Sequence, residues 1–128
     1  MSRIIAVTVL AASLATSVSA HARVWTWSVD GVDANTGSGI APFIRTPPNN
    51  NPVKDLTSTD VRCNVGGTTA VSAKFSAKAG SKLTPEWFHD NRGDDIIASS
   101  HVGPIVTYLA PAASNGEGAV WVKIAESG

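Results

Sequence analysis

Cysteine is nearly missing from this chain of 128 residues, which has 1, Cys63. Small secreted domains normally pair their cysteines, so Cys63 has an intermolecular partner, stands as a free buried thiol, or has lost its partner with a missing piece of chain. An excess of charge of one sign is missing too. The 10 Lys and Arg balance the 10 Asp and Glu for a formal net charge of +0, which leaves no basic footprint for nucleic acid or an anionic membrane. No apolar run reaches the ~20 residues a bilayer crossing needs. No segment sustains a helical period, and no internal repeat is visible. Tyrosine is as scarce as cysteine, with 1, whereas Trp numbers 4, Gly 11 and Pro 7. That mixture belongs to an all-β domain with many turns.

The N-terminus reads as a secretion signal over residues 1–20. Arg3 supplies a small positive region, Ile4 to Leu14 is almost unbroken apolar sequence, and Val18-Ser19-Ala20 offers small residues where a signal peptidase reads. Cleavage after Ala20 predicts a secreted, extracellular chain that begins at His21. The remaining residues, 21–128, are of a size for one domain.

Residues 23–29 alternate as a first strand with Trp25, Trp27 and Val29 on one face, and Asp30-Gly31 follows as a turn. From about Asp33 to Thr59 the chain is rich in Asn, Gly and Pro. Pro47, Pro48 and Pro52 forbid regular pairing, so an extended surface connection is expected. Val71, Ala73, Phe75 and Ala77 alternate with Ser72, Lys74, Ser76 and Lys78, which predicts a half-buried strand over residues 70–78. Further strands are expected at Leu83 to Phe88, Ile105 to Leu109 and Ala119 to Ile124. Together they predict an antiparallel β-sandwich of the immunoglobulin/fibronectin type III-like kind. All four tryptophans sit inside these patterns and are expected in the core.

Three histidines are present, His21, His89 and His101. A free N-terminal histidine can close a six-membered chelate ring through its α-amine and Nδ1, which no internal histidine can do. His101 stands in Ser99-Ser100-His101-Val102-Gly103-Pro104, a loop that leads straight into an apolar strand. One amine and two imidazoles in a tetragonal plane with open positions suit copper above other first-row metals. Against this, a loop histidine is more often only solvated or hydrogen-bonded, and nothing in the spacing brings His21 and His101 together. His89, beside Asp90, reads as an exposed hydrogen-bonded residue and not as a ligand.

The chain resembles the fungal lytic polysaccharide monooxygenases of auxiliary activity family nine, once grouped with glycoside hydrolases. The resemblance rests on His21 after a signal peptide and on Val29-Asp30-Gly31-Val32-Asp33, Ile44-Arg45-Thr46-Pro47-Pro48-Asn49, Pro52-Val53-Lys54-Asp55-Leu56-Thr57-Ser58 and Asp60-Val61-Arg62-Cys63-Asn64-Val65-Gly66-Gly67. Ala77-Lys78-Ala79-Gly80, Glu86-Trp87, Ser99-Ser100-His101-Val102-Gly103-Pro104 and Gly118-Ala119-Val120-Trp121-Val122-Lys123-Ile124 follow in the family's order. It implies a copper site held by His21 and His101, an external electron donor, and oxidative cleavage of β-1,4-glucan, cellulose above all, at C1 or C4 with O2 or H2O2. It also implies departures. The family continues into strands that carry an axial tyrosine, an oxygen-handling side chain and the cysteine that pairs with Cys63, so the sandwich is expected to lack its C-terminal strands. Tyr108 matches a strand position and not the axial one. Two other readings stand beside the enzyme: a non-enzymatic secreted copper-binding protein and a metal-free extracellular carbohydrate-binding β-domain. Phe43 and Asn49 to Asn51 are candidates for meeting a polysaccharide surface, but none is assigned.

Overall fold

Strand β1, Arg23–Val29, is turned by Asp30 and Gly31 into the short β2, Val32–Asp33. Both turn residues have positive φ, 51° for Asp30 and 86° for Gly31, the conformation a two-residue hairpin loop needs to match the twist of its strands. The computed structural model describes residues 22–94 and 103–128. Strand β3, Leu83–Phe88, pairs antiparallel with the other edge of β1, giving a three-stranded sheet in the order β2-β1-β3. Strands β4, Ile105–Leu109, and β5, Val122–Ser127, pair antiparallel as a second sheet. The expected all-β, antiparallel architecture is therefore present. Among the described residues no helix is long and apolar enough to cross a membrane.

The β1–β3 register corrects the expected face of the first strand. Val24 lies opposite Trp87 and Thr26 opposite Glu86, so Trp25 is an extra residue in a β-bulge. The bulge reverses the alternation. Trp25 shares a face with Arg23, Thr26 and Phe88, while Trp27 joins Val24 and Trp87 on the other side. Trp25 meets Phe88 edge to face with ring centroids 5.0 Å apart, and the Arg23 guanidinium lies 4.8 Å from the Phe88 ring centre. The carbonyl of Trp25 accepts the Ala41 amide at 2.8 Å, and Ala41 is buried. The proline-rich connection thus returns to the sheet instead of staying wholly on the surface.

Two other expectations are corrected. Residues 70–78 form no strand among the described residues. Val71, Ala73 and Phe75 are half-buried while Ser72, Lys74 and Ser76 are exposed, so the period of two survives without a ladder. Alternation reports one-sided burial; pairing also needs a neighbour's free amides and carbonyls. Here the segment packs through side chains, with the Phe75 and Phe43 rings 4.7 Å apart. The last strand begins at Val122, not Ala119, because Val122 is the partner of Leu109 at the end of β4. Before it, the indole of Trp121 donates to the Gly116 carbonyl at 3.0 Å and keeps that stretch in the loop.

The core is small. Ala41, Phe88 and Thr26 are the buried side chains among the described residues, with Gly67 and Gly116 also buried, and β4 and β5 carry a series of exposed Ile, Val, Leu and Tyr side chains. Trp87 and Trp121 are exposed as well, against the expectation of core positions. They face a groove between the two sheets.

Candidate metal centre

His21 and His101, the two expected ligands, lie outside the described residues. Arg23, two residues after His21, opens β1 and is the Cα partner of Phe88, the last residue of β3. The chain leaves β3 at that same end of the sheet and continues through the turn at residues 89–94. At this end Arg23 Nε, Trp25 Nε1 and Asn50 Oδ1 are buried without a hydrogen-bond partner among the described residues.

The turn after β3 is tied by one carboxylate. Asp94 Oδ1 accepts the His89 amide at 2.9 Å, and its Oδ2 accepts the amides of Asp90 at 2.7 Å and Asn91 at 2.8 Å. These backbone donors, Asn91 foremost, hold the Asp94 carboxyl down at about 2. His89 Nδ1 lies 2.9 Å from Asp90 Oδ2, as the hydrogen-bonded reading expected, but its side chain is half-buried and not exposed. Ligand atoms of His89, Asp90 and Asp94 lie within 4.8 Å of one another. Asp94 is spent on three amides, so the trio is a turn clasp.

Arg92 carries a second tie that no local motif announces. Its Nε donates to Glu86 Oε1 at 2.7 Å, and its Nη2 donates to Glu86 Oε2 at 2.7 Å and to Asp33 Oδ2 at 2.8 Å. Asp33 also accepts the Asn35 amide and the hydroxyl of buried Thr26, each at 2.8 Å. The Asn35 amide, then Arg92 and Thr26, hold the Asp33 carboxyl below its ordinary range. One guanidinium therefore joins β2, β3 and the loop on the way to His101.

The remaining candidates have structural work. Phe43 is half-buried against Phe75, Asn49 accepts the Asn51 amide at 2.9 Å, and Asn50 donates to the His89 carbonyl at 2.7 Å. Cys63 is a free thiol on the wall of the inter-sheet groove, with Tyr108 on the same lining. Arg45 clasps that region by donating to the Gly67 carbonyl at 2.9 Å and to the Asn115 side chain, whose amide in turn donates to the Thr68 carbonyl.

Residues 21–128 match the model of Auxiliary Activity family 9, formerly GH61. The chain belongs to this family. It is 50% identical over 119 residues to AA9 family lytic polysaccharide monooxygenase C of Aspergillus fumigatus, covering 91% of this chain and 34% of that protein. It is 50% identical over 117 residues to the AA9 family lytic polysaccharide monooxygenase A of Armillaria gallica, covering 91% and 46%. The enzyme of the same name from Phanerochaete carnosa is 54% identical over 112 residues, covering 88% and 41%. Among solved structures, CvAA9A superposes with a TM-score of 0.73 at 47% identity, over 83% of this chain and 47% of that one. The AA9 match supports the immunoglobulin-like sandwich as the fold. The chain spans from 34% to 46% of the length of these relatives.

Proposed function

We propose that the chain is a secreted copper protein of the lytic polysaccharide monooxygenase type, with residues 1–20 removed and residues 21–128 forming the copper domain. His21 would give its α-amine and Nδ1, and His101 its ring. The observation that carries this reading is that the family match starts at His21 itself, the residue that signal cleavage would expose. Arg23, two residues after His21 in sequence, pairs with Phe88 at the end of β3. Nitrogen donors of this kind fit copper. When bound, copper supplies one-electron chemistry with O2 or H2O2 toward the C1 or C4 position of a β-1,4-glucan, an external donor providing the electrons.

The chain's own part is to deliver neutral nitrogens and hold them still. An α-amine titrates near ~8 and an imidazole near ~6.5, so all three nitrogens can be free of protons near neutrality when a metal competes. The hydrogen-bonded β1–β3 pair fixes the strand that follows His21 in sequence, and the Arg92 and Asp94 ties fix the turn after β3. Release of oxidised cello-oligosaccharides from cellulose, given copper and a reductant, tests the reading; absence of such products from copper-loaded protein contradicts it. The alternative reading is copper binding without turnover. Copper bound without oxidised products selects it.

A further inference from the structure

We propose that Asn115 is a self-modifying site that its own hydrogen bonds keep unreactive: each opening of the Arg45–Asn115–Thr68 clasp exposes the side chain to intramolecular deamidation, and the product no longer closes the clasp fully. Asn115-Gly116 is the chain's one Asn-Gly pair. The Gly116 nitrogen attacks the Asn115 side-chain carbonyl carbon, a C–N bond forms, the bond to Nδ2 breaks, and ammonia leaves with the proton of the Gly116 amide. Water then opens the five-membered imide at either carbonyl, giving aspartate or isoaspartate. Glycine after the asparagine hinders the attack least, because it has no Cβ.

The fold demands this pair and holds it in an unreactive shape. Asn115 has φ 52° and ψ 24°, Gly116 has φ 76°, and the Glu117 amide donates to the Ser114 carbonyl at 2.9 Å, so the pair forms the centre of a type I′ turn. Glycine is required at 116 by that φ and because a Cβ there would lie 2.6 Å from the Trp121 ring. Closing the imide needs the Asn115 Cβ and the Gly116 nitrogen eclipsed about the Cα–C bond. At ψ 24° they are turned far from that arrangement, and the turn must open for them to meet. The side chain is held as well. Its Oδ1 accepts from Arg45 Nη1 and its Nδ2 donates to the Thr68 carbonyl, while the Gly116 amide donates to Ser114 Oγ at 3.1 Å. After reaction a carboxylate keeps Arg45 as a partner but has no donor for Thr68. Isoaspartate also adds a methylene to the backbone, which destroys the turn that presents the Gly116 carbonyl to the Trp121 indole. The loop at 111–117 then loosens from the loops that carry Arg45 and Thr68. The reaction consumes only water, so its outcome is separate from that of the copper reading.

The test incubates the full processed chain in neutral buffer and follows Asn115 by peptide mass mapping and isoaspartate methylation, with a synthetic peptide of residues 111–121 as the unprotected reference. The folded chain is expected to deamidate more slowly than the peptide by about tenfold or more, and urea well below the unfolding midpoint should speed it only weakly, since local opening exposes little surface. Arg45→Met removes a charged hydrogen-bond donor and is expected to raise the rate by about tenfold. Leu56→Lys, at a site 81% exposed, is the control and should leave the rate unchanged. A folded chain as reactive as the peptide, or an Arg45→Met rate no higher than the parent's, overturns the proposal. If Arg45→Met does not fold, the urea series on the parent chain decides: a rate that follows global unfolding overturns it. The isoaspartate form, separated by ion exchange, should show faster exchange of the Glu117 amide and red-shifted tryptophan emission. Parent-like exchange and emission in that form would overturn the claim that the clasp stays open.

Discussion

Phe88 is where the stability of the first sheet is concentrated, so Phe88→Ala is the most informative perturbation of the fold. The ring is 2% exposed, meets Trp25 edge to face at 5.0 Å and lies beneath the Arg23 guanidinium. Burying an aromatic side chain removes about 150–250 Å² from water, which at about 25 cal/mol per Å² corresponds to roughly 4–6 kcal/mol. Partial collapse around the truncated side chain brings the expected loss to ~3–5 kcal/mol. For a domain of this size that lowers the melting temperature by roughly 12 °C or more. It also represents much of a total stability of about 5–15 kcal/mol. Leu109→Ala, in the open sheet, should cost no more than ~0.5 kcal/mol, because its side chain already meets solvent. The assay is chemical denaturation followed by circular dichroism and tryptophan emission. Equal losses for the two variants, or a Phe88→Ala protein as stable as its parent, would refute the assignment of the core to the β1–β3 sheet.

Arg92→Met is expected to lower stability only slightly, as the loss of an exposed ion pair does, and to raise the carboxyl titration of Asp33, measurable by NMR; Arg92→Lys should reverse only part of that rise because a lysine cannot make the bidentate contact with Glu86. Asp94 binds its amide partners as an anion and its folded value is below its ordinary one, so its stabilising contribution is present above pH ~4 and is lost as the pH falls toward ~2. Asp94→Asn should flatten the acid limb of a stability-against-pH curve; an unchanged acid limb contradicts the clasp. Gly67→Ala should destabilise by roughly 1–3 kcal/mol, since a Cβ there would overlap the Cys63 carbonyl oxygen, and a neutral effect in thermal unfolding would contradict that close approach.

Much of the fold was legible in the residues. Arg23–Val29, the Asp30-Gly31 turn, Leu83–Phe88 and Ile105–Leu109 follow directly from alternation bounded by turn signals. The bulge was not legible, because Trp25 and Trp27 keep perfect spacing and only the partner strand shows that one residue is extra. For residues 70–78 the same alternation marks a face that packs on Phe43 without a ladder. The displaced start of β5 depends on where Leu109 ends its neighbour, which is a property of the pair and not of the segment. At the site, the resemblance supplied His21 and His101, whereas the residues themselves supplied only their chelating chemistry. Arg92 was not singled out, because its partners Glu86 and Asp33 are distant in sequence and no spacing rule connects them.

Electron paramagnetic resonance on the chain processed to begin at His21, with one equivalent of copper(II), tests the central claim most directly. The account predicts an axial signal with nitrogen hyperfine coupling that is lost in His101→Ala and weakened when one residue is left before His21. A signal of loosely bound copper, or one indifferent to both changes, would contradict it.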